Sequence, residues 1–222
     1  RKLYFVLLVL TVFAVVLTTK RAHLVFGLIA IIIIYYFCNP EQTKNHLFKL
    51  FAASAVTSFG IIIVSNFVPA IQAMLARFDT TEEDTTMESR YVLWDLAIRM
   101  FKRSPIFGNV MWSFRYQFRS DLYDTSVRAA RYELMNCHNV YLQLLAENGI
   151  IGLGVFAIIT ITLLRMTFIC INNEKKKTES NMLIPLLYSA YFQIFFLLYC
   201  FTGNCLYDIT FAFYVHAIGI AL

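Results

Sequence analysis

The stretch GIIGLGVFAIITITLLRMTFICI, Gly149 to Ile171, holds a single charged residue, Arg165, close to its end. An uninterrupted apolar run of this length covers roughly 30 Å as an α-helix, the thickness of a bilayer's hydrocarbon core. Comparable runs lie at about 3–18, 22–38, 49–69, 182–201 and 206–222. In lipid every backbone N–H and C=O must be bonded within its own segment, so these runs predict helices rather than open strands. The composition agrees: 59% of the 222 residues are hydrophobic and 15% charged, with a mean hydropathy of +0.63. Soluble domains have roughly 45–50% apolar and 25% charged residues. The fold class predicted is therefore all-α: a polytopic helical membrane protein with a large external loop containing amphipathic helices.

Orientation follows from the short loops, since Lys and Arg collect on the cytoplasmic side. Lys175, Lys176 and Lys177 place the 172–181 loop inside, and alternation puts Lys44, Lys49, Arg1 and Lys2 on the same side. Arg165 can snorkel to that surface. The chain then divides into three spans over 1–69, an external loop over 70–148 and three spans over 149–222. It opens with Arg1, and further helices are expected upstream. The Arg1-Lys2 start does not read as a secretory signal, because the apolar run that follows has no A-x-A-like cleavage site. The five cysteines contain no CxxC pair, which leaves metal and thioredoxin-like readings without support. The net charge of +5 is too dispersed, and lies too much at membrane borders, to point to nucleic acid.

Within the external loop, Thr85-x-x-Glu88 has capping-box spacing and predicts the start of an amphipathic helix that Pro105 ends. Tyr91, Trp94, Ala97, Ile98 and Phe101 share one stripe of it. A second helix is expected from about Asn136 to Gly149, a suitable C′ residue. Arg90, Arg99, Lys102, Arg103, Arg115 and Arg119 face one acid, Asp95, whereas Asp79, Glu82, Glu83, Asp84 and Glu88 precede them. Such segregation reads either as a solvated face pairing with its neighbour or as a surface for an anion, since guanidinium forks match phosphate oxygens. Lys20 and Arg21, in a tight external turn, carry the same two readings: headgroup anchoring or anion binding. His138, expected in the first turn of the second helix, reads either as a capping residue or as a neutral imidazole able to act as a general base. Glu82, Glu83 and Asp84 read as a solvated run, and the loop has no D-x-D pair for a metal.

Three stretches carry a family resemblance. HNVYLQLLAENGIIGLG, His138 to Gly154, resembles the H-N-x-x-L-x-x-L-x-E-x-G-x-x-G signature of the bacterial O-antigen ligase and polysaccharide polymerase superfamily. SRYVLWDLAIRMFKRSPIFG, Ser89 to Gly108, is similar to that family's R-x-x-L-W helix and P-x-x-G turn, and TTKRAH, Thr18 to His23, occupies the place of its S-R turn. Lys20 stands where the serine is usual, and Asn109-Val110 where relatives often carry another glycine.

The resemblance implies a metal-independent, inverting glycosyltransferase without cofactor. Such an enzyme moves an oligosaccharide from an undecaprenyl-pyrophosphate carrier to a hydroxyl acceptor, a glycan or a lipid A core, outside the bacterial inner membrane. By similarity His138 is the general base and Arg21 and Arg90 bind the pyrophosphate. Asn139, Glu147, Lys20 and Arg99 would support them. A flippase or transporter of lipid-linked oligosaccharides, a protein O-oligosaccharyltransferase and a structural membrane subunit are the alternatives. A transporter should carry charged or broken helices at mid-membrane depth, whereas these spans are nearly free of charge.

Overall fold

The computed structural model describes residues 21–38, 82–119, 135–177 and 180–221. The described residues form five α-helices, with no strand among them: α1 (Arg21–Cys38), α2 (Glu82–Arg103), α3 (Val140–Glu174), α4 (Leu183–Tyr199) and α5 (Thr210–Ala221). A 3₁₀ helix, Ser113–Arg119, lies between α2 and α3. The expected spans at 3–18 and 49–69, and Lys20, lie outside the described residues. The chain divides into two compact units, Arg1–Glu83 and Asp84–Leu222. In the first, α1 buries Gly27 and Ala30 while Val25, Leu28, Ile31 and Phe37 are exposed.

α2 spans Glu82–Arg103, so Thr85 sits inside the helix and does not open it. The helix stops at Arg103, two residues before Pro105, as a proline that restricts the residue ahead of it requires. Its buried face is Leu93, Leu96, Ala97 and Met100, packed with Phe114, Cys137 and Ala146. The expected stripe divides: Ala97 is buried and Trp94 packs against the cluster, whereas Tyr91 and Ile98 are exposed, so the inward face is mainly the aliphatic one.

α3 is the one described helix long and apolar enough to cross a membrane, and only 17% of its apolar window is buried. Ile150, Val155, Ile158, Ile161 and Ile169 all point outward. Large apolar side chains arrayed on the outside of a helix are what hydrocarbon, not water, accommodates. The residues it does bury include polar ones. Gln193 Nε2 of α4 donates to Thr167 Oγ1 of α3 at 2.7 Å and to Ser189 Oγ at 3.0 Å, and Ser189 Oγ donates to the Ala217 carbonyl of α5 at 2.5 Å. Among apolar helices, hydrogen bonds of this kind hold the bundle where burial of greasy surface does not discriminate.

The expectation of a helix ending at Gly149 and a span starting there resolves into a kink. α3 runs through Gly149, but that residue has φ 65° and ψ −165°, which only glycine adopts without strain. The kink is held from outside. Ile150 N–H donates to the Pro105 carbonyl at 2.9 Å and Ile151 N–H to the Ile106 carbonyl at 3.3 Å, so the Pro105–Gly108 turn replaces the helix's own acceptors. A Cβ on Gly149 would lie 2.3 Å from the Ile106 oxygen, and one on Gly108 would lie 2.3 Å from the Glu147 oxygen. Asn109, where relatives often have glycine, is used differently: its Nδ2 donates to the Met100 and Ala146 carbonyls at 3.0 and 2.8 Å. The side chain thereby ties the end of α2 to the start of α3.

Candidate functional site

The short first arm of α3, residues 140–148, is clasped on two sides. Ala146 and Leu142 pack on α2 and the 3₁₀ helix, while Val140 and Leu144 pack on Phe196, Cys200, Cys205 and Tyr214 of α4, α5 and the loop between them. Backbone bonds reinforce the second contact: Val140 N–H donates to the Cys200 carbonyl at 2.8 Å, and Tyr141 OH to the Leu197 carbonyl at 2.7 Å. The peptide that leads into this arm, 136–139, is therefore held between two walls.

Asn139 is the N-cap, its Oδ1 accepting from Leu142 N–H at 3.1 Å. α3 starts at Val140, four residues after the expected point, because Cys137 and His138 are bonded elsewhere. His138 is thus not in the first turn. It lies one residue before the cap with φ 54°, a left-handed conformation unfavourable for a residue with a Cβ. Such strain, of order 1–3 kcal/mol, persists where surroundings over-determine it and clusters at functional sites.

What over-determines it is Asn204, from the loop between α4 and α5. Asn204 Oδ1 accepts the His138 backbone N–H at 2.9 Å, and its Nδ2 lies 3.2 Å from His138 Nδ1. The ring is half-buried, and burial holds its pKa below the usual imidazole value; the positive field of Arg90, on α2, adds to the depression. Arg90 and His138, 48 positions apart, are thus brought within electrostatic reach of each other. Next door, the Cys137 thiol is pushed up to about 12, chiefly by burial, and stays protonated at neutral pH. It is no nucleophile.

Glu147, expected as a supporting residue, is 1% exposed and fully engaged. Its Oε1 accepts from Phe114 N–H at 3.2 Å and Gln143 Nε2 at 3.0 Å, and its Oε2 from Tyr207 OH at 2.9 Å. Gln143 Oε1 in turn accepts the Cys137 N–H at 3.1 Å. The carboxylate thus joins the 3₁₀ helix, the first arm of α3 and the α4–α5 loop beneath the His138 peptide. Tyr207 also packs edge-on against Trp112, a second residue with positive φ, at 5.1 Å between ring centres. Arg99 faces another way: its Nε pairs with Asp95 Oδ2 at 2.8 Å on an exposed stretch of α2. Arg21 opens α1 in the first unit.

Asn204, Gln143 and Tyr207 are the residues that sequence reasoning passed over. The signal available was local: Gly203-Asn204 and Tyr207-Asp208 are polar interruptions in a short turn between two apolar runs.

A family model described as O-antigen ligase matches residues 6–157, a stretch that takes in α1, α2, His138 and Glu147 and ends before α4 and Asn204. No curated protein matches, and no solved structure does.

Proposed function

The chain belongs to the O-antigen ligase family, a membrane-associated family of ligase and polymerase type, and from this we propose a specific reaction and site. The protein moves an oligosaccharide from an undecaprenyl-pyrophosphate carrier to a hydroxyl of a glycan or lipid A core, at the outer surface of the bacterial inner membrane. The helices form a polytopic bundle, and the 70–148 segment is its external loop. His138 and Arg90 carry the reaction.

The observation behind this reading is the convergence of a strained, half-buried neutral imidazole with a guanidinium from a distant part of the chain. A guanidinium offers two parallel N–H donors to phosphate oxygens and keeps its charge near lipid. Diphosphate leaves as a stable anion, so fixed positive charge at the breaking bond lowers the barrier directly. That chemistry requires no metal. Arg21 is assigned to the same anion on the resemblance of its turn, and Lys20 with it. Glu147 and Asn139 serve by fixing the peptide that carries His138, since Glu147 is buried among three donors and the Asn139 amide oxygen caps α3. Arg99, paired with Asp95, has at most an outer role.

The test is transfer from a purified lipid-linked donor by the protein in membranes, with a panel of acceptors. His138→Ala is expected to lower turnover by at least about a hundredfold, the scale on which positioned acid–base or hydrogen-bonding groups contribute. Insertion and expression should be unchanged. Product formed at the wild-type rate by that variant would end the proposal, whichever acceptor is used.

A further inference from the structure

The contact between Asn204 and His138 holds more than ring position. A backbone N–H is a donor only, so the Asn204 atom that meets it at 2.9 Å has to be the carbonyl oxygen. This fixes which end of the amide is which, without appeal to crystallographic distinction of N from O. The other end, 3.2 Å from His138 Nδ1, is then the NH₂ group, which also only donates. Nδ1 must accept, and the proton of the neutral ring must sit on Nε2.

We infer that Asn204 is a positioning residue that locks His138 in the Nε2–H tautomer and presents that N–H, as a hydrogen-bond donor, to the diphosphate oxygens of the donor substrate. The inference rests on the transferase reading above and departs from the general-base role expected for this histidine. A base needs the Nε2 lone pair. Moving the proton to Nδ1 would point it at the Asn204 NH₂ group, and turning the amide over would set that NH₂ against the His138 backbone N–H; either leaves donors opposed and a partly buried hydrogen bond unmade. Among the described residues, the charged group whose field acts on the ring is Arg90 on α2. Asp208, in the same loop as Asn204, accepts the Thr210 N–H at 2.8 Å, and Glu147 is bound by its three donors. Two donors, one cationic and one neutral, thus address the same anion.

The bonds balance without a basic imidazole. The sugar C1–O bond to phosphate breaks with its electron pair remaining on the diphosphate. The acceptor oxygen, approaching from the face opposite the diphosphate, forms the new C1–O bond, and its proton is released to water. His138 ends as it began, having held a hydrogen bond that strengthens as charge develops.

Imidazole ¹⁵N shifts separate protonated from unprotonated ring nitrogens. The full chain, labelled on its four histidines and placed in lipid nanodiscs, is suitable, with the His138 signals assigned by their loss in His138→Ala. In the wild type, Nε2 is expected to be the protonated nitrogen. Asn204→Asp, whose carboxylate still accepts the backbone N–H but also accepts from Nδ1, should move the proton to Nδ1 and raise the ring's pKa. Asn204→Ala should lower kcat about a hundredfold, the scale of a small misplacement of a reacting group, with little change in the donor KM. A wild-type ring protonated on Nδ1 overturns the inference, and so does an Asn204→Ala protein with unaltered tautomer and kcat. The wild-type spectrum decides even if the variants misfold. Should His138→Ala remain active, the transferase role falls while the tautomer result stands by itself.

Discussion

At the scale of single residues, His138 and Arg90 illustrate how burial and a neighbouring guanidinium together disfavour the charged imidazole. A folded-state pKa below the unfolded value near 6.5 means that the unfolded chain takes up a proton that the native one resists. His138 therefore opposes folding only as the pH falls below about 6.5, and its penalty grows toward its own lower pKa. The ring should take up its proton only at a lower pH than a free imidazole does, as an NMR titration of its Cε1–H signal would record. Arg90→Gln removes the second cause and leaves the first, so the titration should move toward 6.5 without reaching it. An unmoved titration would remove Arg90 from the vicinity of the ring. Arg90→Lys keeps the charge but not the fork, and should weaken donor binding while disturbing the imidazole less. The presence of His138 and Arg90 was legible in the sequence through the motifs they belong to. The strained backbone of His138 was not, because φ is decided by what the peptide is bonded to.

At the scale of elements, the decisive feature is the kink at Gly149, where the Pro105–Gly108 turn inserts its carbonyls into the α3 ladder. Alanine there would meet the Ile106 oxygen at 2.3 Å and adopt a backbone conformation closed to it. Gly149→Ala is expected to cost roughly 3 kcal/mol or more, combining strain and overpacking. In a domain of this size that is a fall in Tm of about 6–12 °C. Gly154 supplies the contrast: it lies in the same helix with nothing within 4 Å of an added Cβ. Gly154→Ala should be neutral or stabilising by up to about 1 kcal/mol. Equal melting temperatures for the two variants would contradict the account of the kink. Gly149 was readable as a helix terminator, and the apolar run after it as a helix. That a turn docks between the two arms and supplies the acceptors there required knowing that Ser104–Gly108 lies alongside. The α2 stripe shows the same limit: periodicity identified an amphipathic helix, but packing decided which part of its apolar stripe is covered, Ala97 being buried while Tyr91 and Ile98 are exposed.

At the scale of the whole molecule, the proposed topology makes the Phe107 turn external and the Lys175–Lys177 loop internal. Phe107 is 76% exposed, and of the second unit's cysteines Cys137, Cys200 and Cys205 are buried while Cys170 is half-buried, so labelling in a Cys170→Ser background gives a low native signal. Phe107→Cys should react with a membrane-impermeant maleimide on intact spheroplasts, and Lys176→Cys only after permeabilisation. The reverse pattern would place His138 on the cytosolic side and end the transferase proposal. Transfer activity should also survive a chelator, because the leaving charge is met by guanidinium.

The amino-acid sequence by itself determined the helical class, the apolar span after Gly149 and the stretches that mark the family, because these depend on composition and spacing along one segment. Only the tertiary structure decided that His138 precedes its helix, that Glu147 is a buried joint and that Asn204 meets both the backbone and the ring of His138. Each of these depends on hydrogen bonds between residues far apart in the chain, Asn204 and His138 being separated by 66 positions. No local pattern records such a partner, since a donor and its acceptor need share nothing in sequence except being brought to within about 3 Å by the packing of everything between them.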